Sequence, residues 1–477
     1  MKTLLLSLIL ATGGLTAQAC GGYGDDDHFF AHEWGTFTSI QGTDGVPLAW
    51  QSLVENDLPD FVYNRTRPAD AHLLGAPLNP LSKGSIAATQ RIETPVIYFY
   101  SLKPRTVDVR VDLPKGTITE WYPQISKFGP AFGQAVSPFI DPKQRDKSFI
   151  EWSKVQIVPG SKASFPDEKR PSHYYAARNT DAAPIQVTPP ALQDIKSSGE
   201  GLPKPQDEKF LFYRGIANFP SPLLARATSD NTVVMQNLLD QPLQHIFVID
   251  QRAGEYAFSY HPELAAKKEL SAGITIFSSR TQRVTGREQL IQSMRKSLTA
   301  AGLFEKEAAA MVKTWEDSWF DEKGVRILYV LPEKWVETTM PLKFNPAPTK
   351  TARVYVGRAE LFTPKLEQTL TQLVNAFAGA STEQKAVLTQ SVRDLRLGRF
   401  THVAFDRIVR KQNEKQFSTA AYQLRASALT PTPATPPVTG SKSVTSISHP
   451  LVKEITARLV KDGDATEFIN ISCAGTR

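Results

Sequence analysis

The chain has 477 residues, 55 of them Lys or Arg against 48 Asp or Glu, for a formal net charge of +7 with 41% hydrophobic content. That length sustains two or three domains with real cores. The basic residues are scattered among acids without a long run, which argues against a nucleic-acid partner. No apolar stretch beyond the first residues reaches the ~18 needed to cross a bilayer.

The chain opens with Met1-Lys2 and an apolar run from Thr3 to Leu10, followed by Gly13-Gly14 and Leu15-Thr-Ala-Gln-Ala-Cys20. One positive charge ahead of a short apolar stretch reads as a secretory signal peptide over residues 1–19. Ala17-Gln18-Ala19 fits an ordinary signal-peptidase site, and the same bond precedes a cysteine in a permissive lipobox-like context. Cys20 is therefore the expected lipid-attachment residue, with residues 20–27 a Gly/Asp tether to the outer membrane. The competing use of its sulfur is a disulfide to Cys473, which suits an oxidising compartment. Two cysteines so far apart do not build a zinc or iron–sulfur site. No metal and no cofactor is expected.

Residues 28–198 read as a β-rich domain. His28 to Thr38 is aromatic and Thr-rich, which favours a strand. His28 and His32 would then lie ~13 Å apart at ~3.3 Å per residue, too far to share an ion. The stretch is not a zincin motif, since Thr36 stands where a second histidine is required. Val96 to Tyr100 is a β-branched and aromatic run. Thr106 to Leu113 alternates strictly, Pro114-Lys-Gly116 turns, and Thr117 to Tyr122 resumes, predicting a hairpin. Phe149 to Val158 and His173 to Arg178 are further strands. Gly199 to Glu208 is a polar linker, and residues 209–280 form a second β block.

The period then changes. Residues 285–427 read as a mixed, mainly helical domain, with helices over Arg287–Ala301, Glu305–Phe320, Pro364–Ala378, Thr382–Leu397, Phe400–Gln412 and Gln416–Ala426. Strands are expected at Arg326–Leu331 and Arg353–Val356. Residues 428–448 form a Pro/Thr linker and 449–477 a tail with a last amphipathic helix. The expected fold class is α+β: a mostly antiparallel, sandwich-like N-terminal part and a helical C-terminal part.

Three places concentrate chemistry. His32 and Glu33, next to Trp34, form an acid–base neighbour pair that is costly to bury unless satisfied. Arg91-Ile-Glu93 puts two charges on one face of an extended chain, to pair with each other or to meet His32. Glu316, Asp317, Asp321 and Glu322 crowd a helix C-terminus, where the dipole disfavours anions by ~0.3–1 kcal/mol each. With Trp315 and Trp319 alongside, Glu316 suits a sugar-binding cleft or the wet face of a core helix. There is no Gly-x-Ser-x-Gly elbow, phosphate loop, dinucleotide fingerprint or CxxC, and Ser293-Met-Arg-Lys296 lacks its companion motifs.

Ala31-His-Glu-Trp-Gly-Thr-Phe-Thr38, Glu93-Thr-Pro-Val-Ile-Tyr-Phe-Tyr100 and Glu307 through Phe320 resemble a family of exported bacterial proteins carrying an AHEWGTFT segment near the mature N-terminus. The resemblance covers most of the mature chain. It implies a shared fold and a Gram-negative periplasmic or outer-membrane address, and no activity at particular residues. The leading expectation is a lipid-anchored envelope protein that binds or scaffolds an envelope glycan or protein through Trp34, Trp315, Glu316 and Trp319. The alternative is a secreted hydrolase of glycans or peptides using His32, Glu33 and Glu93.

Overall fold

A computed structural model describes residues 28–53, 57–64, 87–129, 147–189, 204–229, 232–251, 256–273, 276–277 and 280–430. The expected signal segment, Cys20, Cys473, nearly all of the expected Pro/Thr linker and the tail lie outside the described residues.

Eight long strands build a central sheet: β1 (Phe29–Gln41), β2 (Gln90–Ser101), β3 (Gly116–Tyr122), β4 (Leu211–Ala217), β5 (Leu243–Gln251), β6 (Tyr256–Leu264), β7 (Gly324–Val330) and β8 (Lys350–Leu361). Their order across the sheet is β6-β5-β7-β8-β1-β2-β4-β3, with short strands added at Ile276–Phe277, Tyr63–Asn64 and Pro47–Leu48. Every neighbouring pair is antiparallel except β1 with β8, which run parallel from Phe30↔Lys350 to Gln41↔Leu361. All of β1 but Phe30 is buried, as its continuous run of aromatic and Thr residues suits a strand covered on both faces. Residues 28–198, 209–280 and 285–427 each contribute strands, so the two β blocks and the mixed region share one sheet.

Alternation along β1 sorts its residues between layers. Phe29, Ala31 and Phe37 join a cluster with Val107, Val109 and Trp152. The last three belong to a second, antiparallel sheet built on Arg105–Leu113 and Ser148–Ile157, so the two sheets pack as a sandwich. A three-stranded sheet of Leu223–Ser229, Thr232–Asn237 and Glu269–Gly273 extends that cover. Trp34 faces the other way, into a cluster under helices α1 (Arg280–Ala300) and α2 (Glu305–Glu316). Ile40, at the end of β1, meets a third cluster. That cluster is made by α4 (Pro364–Ala378), α5 (Thr382–Asp394), α6 (Thr401–Gln412) and α7 (Lys415–Leu429), while the short α3 (Glu333–Thr339) caps the sandwich side. The fold is α+β, with antiparallel sheets concentrated in the N-terminal part and helices in the C-terminal part.

Three local expectations change. Residues 106–122 do not make a hairpin, because Arg105–Leu113 pairs with Ser148–Ile157 while β3 pairs with β4. Pro114-Lys115 instead hands the chain from one sheet to the other. His173–Arg178 is a 3-10 turn, capped where Tyr174 N donates to Ser172 Oγ at 3.3 Å. Tertiary docking buries Tyr174 fully and Tyr175 in part instead. Part of the 199–208 segment is a strand, since Gln206–Glu208 pairs with Ile185–Val187 and buries Glu208 against Arg178 at 2.7 Å.

Candidate functional site

Neighbouring residues of a strand project to opposite faces, so the geometry of β1 separates His32 from Glu33. Glu33 is fully buried on the sandwich side. It accepts from Arg353 Nε at 2.7 Å and from Tyr213 OH at 2.6 Å, and Tyr213 also lies 3.1 Å from Tyr355 OH. His32 is buried on the helical side, with Nδ1 2.8 Å from Glu307 Oε2 of α2. Glu93 of β2 lies opposite Thr36, and His32 lies opposite Tyr98. The three residues of the hydrolase reading therefore do not converge, and none opens on a cleft. Each has a different partner.

The His32–Glu307 pair supports something else. Glu307 Oε2 also accepts from Phe304 N at 2.7 Å, and the Phe304 ring lies against the His32 imidazole with centroids 4.5 Å apart. Phe304 itself is 44% exposed. With Phe30, Tyr100, Leu102, Lys209 and His28 it lines an open cleft of about 810 Å³. Tyr100 meets Phe304 edge-on at 4.8 Å. Burial and the Glu307 carboxylate push the Tyr100 phenol far above its usual pKa, so it stays neutral. The cleft thus has a rigid aromatic wall and a charged rim, where Lys306 binds Asp181 at 2.5 Å.

A second polar region crosses the same face of the sheet, between the Trp34 cluster and the helical cluster. Along β1 that face reads His32, Trp34, Thr36, Thr38, Ile40. The Thr36–Thr38 level continues into Arg91 and Glu93 of β2, Arg214 of β4, Glu120 of β3, Arg358 and Glu360 of β8 and Arg326 of β7. Asp57, His173, Glu322 and Arg399 close over this seam. Arg399 Nη1 donates to Glu93 Oε1 at 2.6 Å, Arg214 Nη1 to Asp57 at 2.6 Å, and Arg358 Nη2 to Glu322 at 2.5 Å. Arg326 Nε reaches Glu360 at 2.8 Å.

Burial alone would raise the pKa of these acids, and the guanidiniums outweigh it. Arg399, Arg91 and Arg358 hold Glu93 below the usual carboxylate range, and Arg214 and Arg91 hold Asp57 far below it. Glu322, beside Arg358, sits at about 2. Burial pulls the His173 imidazole below its ordinary value.

The acidic end of α2 is answered by cations. Arg287 of α1 binds Asp321 through two nitrogens at 2.7 and 2.6 Å and reaches Glu316 at 2.9 Å, while Lys313 reaches Glu316 at 2.7 Å. Trp34, Trp315 and Trp319 are core residues, none more than 5% exposed, so they do not line a sugar cleft. Sequence reasoning missed Phe304, Tyr100, Arg214, Arg358 and Arg399. Arg358-Ala-Glu360 repeats the Arg91-x-Glu93 spacing inside an apolar strand, and that repetition was the available signal. Among the described residues no group of three His, Cys, Asp or Glu is placed to hold a metal ion.

No family model and no curated protein matches the chain. Among solved structures, it is similar to the yeast delta-COP-I mu-homology domain and to the same domain complexed with a Dsl1 WxWxV peptide. The identities are 8% and 7%, covering 72% and 71% of this chain and 100% of each of those, with a TM-score of 0.24 in both cases. Likeness of that degree carries no functional argument.

Proposed function

We propose that this is an envelope binding protein that holds a glycan or peptide segment in the cleft walled by Phe304, Tyr100 and Phe30. The observation that carries the reading is the half-exposed Phe304, fixed from beneath by the buried His32–Glu307 pair. A half-exposed aromatic normally has rotamer freedom to lose on binding; here the buried pair supplies that order in advance. An aromatic wall with charges at the rim stacks against sugar or peptide faces while polar groups set orientation. The segment Ala31–Thr38 then serves to build the cleft from below. The hydrolase alternative finds no support in the positions of His32, Glu33 and Glu93.

The test is titration of the purified protein with envelope glycan fragments and, separately, short peptides, followed by calorimetry. Phe304→Ala is expected to weaken the binding ligand about tenfold or more, the range of a lost aromatic anchor, with the melting temperature nearly unchanged. Binding indifferent to Phe304→Ala overturns the reading. The proposed address rests on the signal-like first residues and Cys20. Palmitate labelling present in wild type and lost in Cys20→Ser is the expected result, and labelling unchanged by the substitution refutes the anchor.

A further inference from the structure

The seam holds more buried hydrogen-bond donors than it satisfies. Arg91 is 1% exposed, and its nearest carboxylates, Glu93 and Asp57, lie at 3.7 and 3.8 Å, beyond hydrogen-bonding distance. Among the described residues its Nε and Nη1 have no hydrogen-bond partner, nor do Arg358 Nη1 and Arg399 Nε and Nη2. Thr36 and Thr38, both fully buried, present unpartnered hydroxyls on the same face. These groups are neighbours by register. Thr38 stands directly between Arg91 and Arg358 on the two adjoining strands, and Thr36 stands opposite Glu93, which binds Arg399. Thr94, next to Glu93, has φ of 49°, in the left-handed region that a β-branched residue rarely occupies.

A buried N–H without an acceptor is costly, and although Arg358 meets Glu360 and Glu322 and Arg399 meets Glu93, each of them, like Arg91, keeps at least one such N–H. Arg forks and Thr hydroxyls together match an oxyanion, whose several oxygens accept from several directions at once. The seam meets solvent at both ends, through Asp57, whose side chain is 37% exposed beside Arg91, and Glu322, 40% exposed beside Arg358.

We propose that the seam is a binding site for a small oxyanion of the phosphate or carboxylate class, held by Arg91, Arg358 and Arg399 over a floor of Thr36 and Thr38. It is separate from the aromatic cleft and does not depend on that reading. The experiment titrates the full-length protein with inorganic phosphate and, in a second arm, acetate, at constant ionic strength with chloride as the balance. Calorimetry is expected to give one saturable site with a rising melting temperature in at least one arm, and the responding arm identifies the class. Thr38→Val keeps the shape and removes the hydroxyl, and Arg399→Gln removes one fork from the rim of the seam. Each is expected to weaken binding at least about fivefold. Should Arg399→Gln fail to fold, Thr38→Val and Arg91→Met carry the test. Absence of saturable binding in both arms, or an equal response in wild type and the variants, overturns the site and leaves the donors to internal water.

Discussion

Glu33 and Arg353 face one another across the parallel strands β1 and β8, with exposures of 0% and 4%. Removing one partner strands the other charge in the core, at a cost of about 3–5 kcal/mol, whereas replacing both by apolar groups of similar volume is often close to neutral. Glu33→Leu alone is therefore expected to lower the urea midpoint strongly, and Glu33→Leu with Arg353→Met to recover much of it. A double variant as unstable as the two losses added together would show no coupling. The seam contributes to acid sensitivity. Glu322 titrates at about 2 when folded against 4.5 when unfolded, so its stabilisation is full above the unfolded value and lost as pH falls through the folded one. Glu93 and Asp57 shift in the same direction. His173, depressed by burial, adds a loss that begins as pH falls below its unfolded value of 6.5, because only the unfolded chain takes the proton. Stability by denaturant titration is expected to decline from about pH 6.5 downward and to steepen below about pH 4.5, with His173→Gln flattening the upper part. A pH-independent midpoint across that window would contradict these assignments. Residue identity announced that His32 and Glu33 needed partners. It did not announce that period-two geometry forbids their acting together, although a strand assignment already implied it.

The elements were legible wherever periodicity was strong. The strand expected over residues 28–38 forms at 29–41, and the runs at Val96 and Arg326 and the helices from 305 and 364 form where composition places them, with Thr363 capping α4 by accepting from Leu366 N at 3.2 Å. Pairing was not legible, because alternation says which face is wet and nothing about which strand lies alongside. Pro114-Lys115 shows the consequence, joining two sheets where a hairpin was expected. Gly116, where β3 begins, makes that hand-over feasible: a Cβ there would meet the Ile216 carbonyl oxygen at 2.3 Å. That contact is backbone and cannot swing away. Gly116→Ala is expected to cost about 1–3 kcal/mol by overpacking and to speed exchange of the β3 and β4 amides. A variant with wild-type stability would mean that the two strands separate at little cost.

At the scale of the whole molecule, charge and length spoke to class and left domain structure open. The central sheet explains why: its two halves, β1-β2-β4-β3 from residues 29–217 and β6-β5-β7-β8 from residues 243–361, join among the described residues through the parallel β1–β8 pair. Severed there, β1 would lose its partners from Phe30 to Gln41 and expose that whole length as an unpaired edge. A fragment of residues 28–280 is accordingly expected to show no cooperative unfolding transition, while mixing it with residues 281–430 restores one. Cooperative melting of the first fragment alone would establish an independent domain.

That same parallel pair also sets a timetable. Glu33 finds Arg353 only after 320 further residues have been made. The N-terminus is made first, so β1 can pair early with β2 along one edge while its other edge stays open until β8, the last strand among the described residues, arrives. Such long sequence separation slows closure. For that interval the open edge of β1 is the part of the sheet most exposed to wrong pairing.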